Sequence, residues 1–404
     1  MIIKKKNLIF AVLLSVSSLY ASTFFSGYAG GKLNFASNSK AKTEAFDPDL
    51  TLQAFFAGQF SFSQNSWAHL EFSVDTEDLL TESIFENTKA NFQIDELSYV
   101  IRGNLNNTSN YFSAFMGTYD PIGSDIFLQR YFSIEPIASK LTDSYMGLAG
   151  SILYPQFGFG IADVLRLHNY PMALGGYLYL NHEDEDYFVL NSDLRYACVY
   201  RYFTCDFAAG IGVPLANQYK GEDVIVAVDT IYWHAGTTML IGNNYTNSLF
   251  LQAGIYNVAF SAKNTTTIVS PNDIYLLFEP RFVSKNFHLN LSIYSIPEST
   301  TNKLLFVDDT MGADLNIYSA NVMIGALNFT FGNHLSFSMH KNFIDFANAT
   351  ELFNQGYNIN ITPYLSMPFL SGELHLQGKI KIMEFATGNA ANAVSIDLGY
   401  RTTF

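Results

Sequence analysis

Charge is scarce in this 404-residue chain. Asp, Glu, Lys and Arg make up 14% of it, against roughly 25% in ordinary soluble domains, while 49% is hydrophobic and 16% aromatic. Long apolar runs are lacking as well. Beyond the N-terminal segment the longest is on the scale of Met172 to Leu180, and a membrane-spanning helix needs about 20 such residues. Cysteine is nearly absent: Cys198 and Cys205 are the only two. They flank Val199 to Thr204 across what reads as a hairpin, where an oxidising compartment permits a disulfide of small value, because the closed loop is short.

Recognisable catalytic chemistry is missing too. There is no Gly-x-Ser-x-Gly elbow, no phosphate-binding glycine loop and no internal repeat. The 8 histidines show no pair with metal-ligand spacing, so no metal and no cofactor is implied and nothing points to an enzyme. His288, His334, His340 and His375 share one strand phase and read as polar lining. The cluster His182, Glu183, Asp184, Glu185, Asp186 lacks the spaced oxygens and turn glycine of an EF-hand-type loop and reads as a solvated acidic turn. Positive charge is short as well. Setting aside Lys4, Lys5 and Lys6 leaves 19 basic against 36 acidic residues, a formal charge near −17, which argues against nucleic acid as a partner. The same balance is compatible with a lumen that favours cations, although acids on loops serve solubility first.

What the chain does have is alternation. In Leu50 to Ser63, Ala54, Phe56, Gly58, Phe60 and Phe62 fall on one side; in Ala90 to Leu105 the alternation slips once, as at a β-bulge. In Glu373 to Ile382, Leu374, Leu376, Ile380 and Ile382 oppose Glu373, His375, Gln377, Lys379 and Lys381. That polar side is too charged for a packed core and needs water. Segments of this kind alternate with long and short connections along the chain. Candidates number 19 if Val224 to Ile241 is one strand and Tyr145 to Leu153 is another, with short turns at Ser284 to Asn286 and Gly332 to Asn333. A closed single-chain bacterial barrel needs an even number.

The last stretch carries the pattern furthest. Val394, Ile396, Leu398, Tyr400, Thr402 and Phe404 lie on one face, and Ser395, Asp397, Gly399, Arg401 and Thr403 on the other. An aromatic at the end of such a strand resembles the closing strand of bacterial outer-membrane β-barrels of the porin-like class. The resemblance implies that Tyr400 and Phe404 belong to a signal read by the barrel assembly machinery. At the other end, Lys4 to Lys6, an apolar run from Leu8 to Leu14 and a small-residue exit at Ala21 have the three zones of a secretory leader. No cysteine follows it to carry a lipid anchor.

The expectation is therefore an all-β fold: a leader over residues 1–21, then one transmembrane antiparallel β-barrel over 22–404, of about 18 strands within a range of 16 to 20, set in outer-membrane lipid. A barrel that wide leaves an aqueous channel. The expected function is passive diffusion of small hydrophilic solutes or ions, with a cation preference and a homo-oligomer both compatible. A surface-exposed adhesin or structural barrel with a blocked lumen is the alternative, and a transporter of apolar molecules the third. Lumen-facing candidates are Glu373, His375, Lys379, Lys381, Asp397 and Arg401. The segment Asp120 to Asp143 is long, lacks alternation and carries Ile122, Phe127, Leu128, Tyr131, Phe132 and Ile137. If Phe127, Leu128, Tyr131 and Phe132 dock it against the inner wall, Asp120, Asp125, Arg130 and Glu135 become pore-constriction candidates; the equal alternative is a loop that packs over the barrel rim.

Overall fold

The computed structural model describes residues 24–37, 47–80, 90–142, 157–184, 187–215, 218–219, 222–223, 230–261, 269–270, 273–301, 304–325, 327–340 and 356–404. The leader expected over residues 1–21 lies outside them. Eighteen strands form one sheet: β1 (Phe24–Ser37), β2 (Pro48–Ser63), β3 (Ser66–Thr76), β4 (Ala90–Leu105), β5 (Thr108–Gly117), β6 (Gly158–Leu167), β7 (Met172–Asp184), β8 (Tyr187–Tyr200) and β9 (Phe203–Leu215). There follow β10 (Thr230–Ile241), β11 (Ser248–Ser261), β12 (Ile274–Val283), β13 (His288–Ser295), β14 (Met311–Ile324), β15 (Leu327–Met339), β16 (Asn358–Phe369), β17 (Gly372–Lys381) and β18 (Val394–Thr403). Among the described residues, short helices sit in the connections: α1 (Ile126–Phe132), α2 (Glu298–Thr301) and α3 (Ile382–Ala386).

Every strand pairs antiparallel with its sequence neighbours. The first also pairs with the last, from Tyr28↔Thr403 to Phe35↔Ile396. Phe404 extends the seam by exchanging both backbone hydrogen bonds with Gly27, at 2.9 and 3.0 Å, and its ring stacks on Phe25 with centroids 4.9 Å apart. The sheet is closed and exposes no edge.

The direction of burial settles what kind of barrel this is. On β18, Ile396 and Leu398 are 44% and 41% exposed while Asp397 between them is 5% exposed. Apolar side chains point outward and polar ones inward, the reverse of a water-soluble barrel and the arrangement that lipid demands. The inner face repeats this with Ser113, Asp193, Arg195, Gln252, Glu279, Asp314, His334 and Gln377, all buried.

The strand register corrects several boundaries. The sheet passes directly from β5 to β6, with Gly117 opposite Gly158; the strand expected at Tyr145 to Leu153 lies outside the described residues. Val224 to Ile241 contributes one strand, Thr230–Ile241, whose irregularity between Trp233 and Ala235 is a register shift inside a ladder rather than a hairpin. The turn expected at Gly332 to Asn333 lies earlier, at Gly325, which has φ +65°. Gly332 is mid-strand because a Cβ there would come within 2.2 Å of the Tyr364 ring. In β4 the slip in alternation is a bulge, with Glu71 opposite Glu96 and the next residue, Phe72, opposite Ile94.

Candidate functional site

The lumen is filled from one side by the connection between β5 and β6. It leaves β5 through Tyr119 and descends along the inner wall. By residue 135 it has reached the opposite, short-turn end, where Asn244 in the β10–β11 turn donates to the Pro136 carbonyl at 3.1 Å and the Tyr245 hydroxyl donates to Glu135. Helix α1 supplies the grip: Phe127, Leu128 and Tyr131 are 0%, 0% and 1% exposed, each worth roughly 1.5–3 kcal/mol when removed from water. Gly123 is where the chain comes closest to the wall. Its φ is +74°, and a Cβ there would lie 1.7 Å from the Tyr275 hydroxyl.

Polar groups complete the dock. Asp120 accepts from Arg130 at 2.7 Å and from the Tyr177 hydroxyl at 2.8 Å. Arg130 Nη2 also donates to both oxygens of Glu96, at 2.9 and 2.7 Å, and the guanidinium lies over the Tyr119 ring at 4.2 Å. Arg195, held to Asp206 through its Nε at 2.8 Å, donates to the Asp120 carbonyl. Gln252 donates to the Gly123 carbonyl at 2.7 Å. Further along, Arg281 donates to the carbonyls of Ile137 and Ala138, and Ser139 donates to Glu279. A bidentate guanidinium in a low-dielectric setting is far stronger than a surface pair.

Of the four residues singled out in this segment, Asp120, Asp125 and Arg130 take part in the docking contacts, and Asp125 and Glu135 are in the lining of the open cavity. Asp125 is 1% exposed. Its carboxylate accepts from the Ile137 and Ala138 amides at 2.6 and 3.1 Å and from Gln129 at 2.8 Å. It ties the helix to residues 137–138 of the same loop.

A second loop folds inward between β13 and β14, and no alternation or charge pattern marked it in the sequence. Phe306 lies flat on His334, with centroids 3.5 Å apart and 8° between planes, and its carbonyl accepts from Ser336 and Asn360. Asp308 is gripped by Lys379, Asn360 and Lys381, and Asp309 meets His340 at 3.3 Å. Burial alone would raise the Asp308 carboxyl, but the lysines and hydrogen bonds around it outweigh that and hold it below the usual carboxylate range. The visible signal is the apolar run Leu304 to Val307, followed by two acids.

Between the two loops and the wall formed by β14 to β18 and β1, a cavity of about 620 Å³ stays open. The loop side of its lining includes Gln129, Glu135 and Lys140; the wall side includes Asn316, Tyr364, Glu373, His375 and Arg401. Among the lumen-facing candidates, Glu373, His375 and Arg401 therefore line open space. Lys379 and Lys381 are engaged with Asp308, and Asp397 accepts from Gln377 at 2.9 Å and Asn34 at 2.8 Å. His334, Tyr364 and His375 stand in a row with centroids 5.4 and 5.7 Å apart. His288 stacks on Tyr318 nearby, so these histidines line the lumen wall with no metal-ligand grouping among the described residues. Tyr400 faces outward near Phe369.

A closed barrel of eighteen antiparallel strands, apolar outside, with an inward-folded loop narrowing a polar lumen, has one architectural reading. The fold is a porin-like β-barrel. No family model matches the chain, and no curated protein matches it. Solved structures similar to it include OccAB3 of Acinetobacter baumannii, at 9% identity and a TM-score of 0.49. A triple mutant of Rhodopseudomonas blastica porin is similar at 12% identity and a TM-score of 0.45. In both cases 95% of this chain and 100% of the other are covered.

Proposed function

We propose that this porin-like barrel lies in a bacterial outer membrane and lets small hydrophilic solutes or ions diffuse passively through its lumen. The observation that carries the reading is the open cavity of about 620 Å³ whose lining includes Asp125, Glu135, Lys140, Glu373 and Arg401. Charged side chains on the inner wall of a lipid-facing barrel need water, and water in a wall of this diameter is a path. Selectivity falls to the groups that face that path. Glu135 and Lys140 face it from the loop and Glu373 and Arg401 from the wall, and the surplus of acids over bases in the chain as a whole favours cations.

Refolded protein reconstituted in planar bilayers is expected to give ohmic steps. Glu135→Gln is expected to lower the cation-over-anion permeability ratio, read as a shift in reversal potential under a salt gradient. A folded barrel that inserts and passes no current refutes the channel; a variant with unchanged reversal potential moves selectivity away from Glu135.

A further inference from the structure

The channel reading leaves the two cysteines without a role, yet they face each other across the β8–β9 hairpin. Cys198 is directly opposite Cys205 in the antiparallel register, separated from the turn at residues 201–202 by Tyr200↔Phe203 and Val199↔Thr204. Cys198 is 4% exposed. Directly opposed residues of an antiparallel pair have Cα atoms about 4.5–5.5 Å apart, inside the span of about 4.4–6.8 Å that a disulfide bridges. The chain holds no third cysteine to compete.

We propose that Cys198 and Cys205 are joined by an intrachain disulfide in the exported protein. The proposal rests on the outer-membrane reading, because export carries the chain through an oxidising compartment. The oxidant is the disulfide of a thiol–disulfide carrier protein. One cysteine thiolate attacks a carrier sulfur to give a mixed disulfide, and the second thiolate displaces the carrier. The two thiols lose two protons and two electrons, and the carrier's disulfide is reduced to two thiols.

The bond has a structural consequence. One residue away, on the inner face of the same hairpin, Ala197 is opposite Asp206. Asp206 holds Arg195, which in turn grips the Asp120 carbonyl at the head of the inward loop. A covalent tie at Cys198–Cys205 fixes the register of the two strands on which that grip depends.

The test is thiol counting on protein taken from the outer-membrane fraction, unfolded in urea and exposed to a bulky maleimide with and without prior reduction. The expected result is no label before reduction and two labels per chain after it. A Cys198→Ser/Cys205→Ser double variant is expected to fold and to take no label in either condition. Two labels without reduction overturn the proposal, as does a covalent dimer on a non-reducing gel, which would place the bond between chains. Absence of the protein from the outer-membrane fraction counts against the channel reading itself and is read separately from the label count.

Discussion

Asp125 shows how a residue chosen for its charge can serve structure. Burial pushes its carboxyl up to about 6, against the hydrogen bonds from Ile137, Gln129 and Ala138 that pull it down. A carboxyl held above its ordinary value binds its proton more tightly folded than unfolded. Its contribution to loop docking is thus fully present below the unfolded value of 3.8 and is lost as pH rises through about 6. Single-channel conductance is expected to rise across that window as the loop loosens. Asp125→Asn, a permanent mimic of the neutral form, is expected to flatten the rise; identical titrations of the two proteins would rule out this role.

Asp163 is the opposite case, a carboxylate on the outer wall. It is exposed in the outward phase of β6, between Ile161 and Leu165, with Phe112 and Gly176 as cross-strand neighbours. Charged groups on a lipid face cost a few kcal/mol near mid-depth, carboxylates less than cations. Asp163→Leu is therefore expected to raise the unfolding free energy in lipid vesicles by about 1–2 kcal/mol, measured by urea titration. A fall in stability, or a change of oligomeric state, would place a neighbouring subunit over this patch.

Among elements, the two inward loops differ in how they are held. The β5–β6 loop rests on an apolar helix face as well as on paired guanidinium groups, so no single contact decides it. The β13–β14 loop depends on Asp308, which meets the 7%-exposed Lys379. Removing one partner of a buried pair leaves the other uncompensated, at a cost of about 3 kcal/mol. Asp308→Ala is expected to free this loop and to appear as larger current fluctuations and faster proteolysis between residues 296 and 310. The same pair loses its contribution as pH falls below the ordinary carboxylate range, through the depressed Asp308 value. A variant with wild-type current noise and wild-type cleavage would show that Phe306 stacking alone suffices.

The legibility of these elements tracks their periodicity. Strands with one lipid face and one wet face announce themselves residue by residue, as β17 and β18 do. Phe127, Leu128, Tyr131 and Phe132 mark the β5–β6 segment because an exposed loop has no use for so much apolar surface. The β13–β14 loop has only the short apolar run Leu304 to Val307 to signal it, too little to tell docking from an ordinary tip. The turn at Gly325 was misplaced for a related reason: a glycine beneath an aromatic ring and a glycine in a turn look alike until Tyr364 is located.

For the whole molecule, closure is the source of stability, since every barrel strand finds both neighbours and the seam runs through β1 and β18. Unheated protein in mild detergent is expected to migrate as a compact band that shifts on boiling and to give a strand-dominated circular dichroism spectrum. A helical spectrum, or no shift on boiling, would contradict a closed barrel.

The sequence by itself determined the class of fold and its polarity: alternation with a charged inner phase and an apolar outer phase is a local property, repeated at every second residue, and needs no partner to be read. It also bounded the strand number, because closure demands an even count. Which charges meet the open lumen was decided only by tertiary structure. Arg130 and Glu96 are far apart in the chain, as are Lys379 and Asp308, and pairing withdraws them from the path, while Glu135, Lys140, Glu373 and Arg401 are left beside open space. Register, shear and loop descent place those groups, and each depends on contacts between strands that no local pattern encodes.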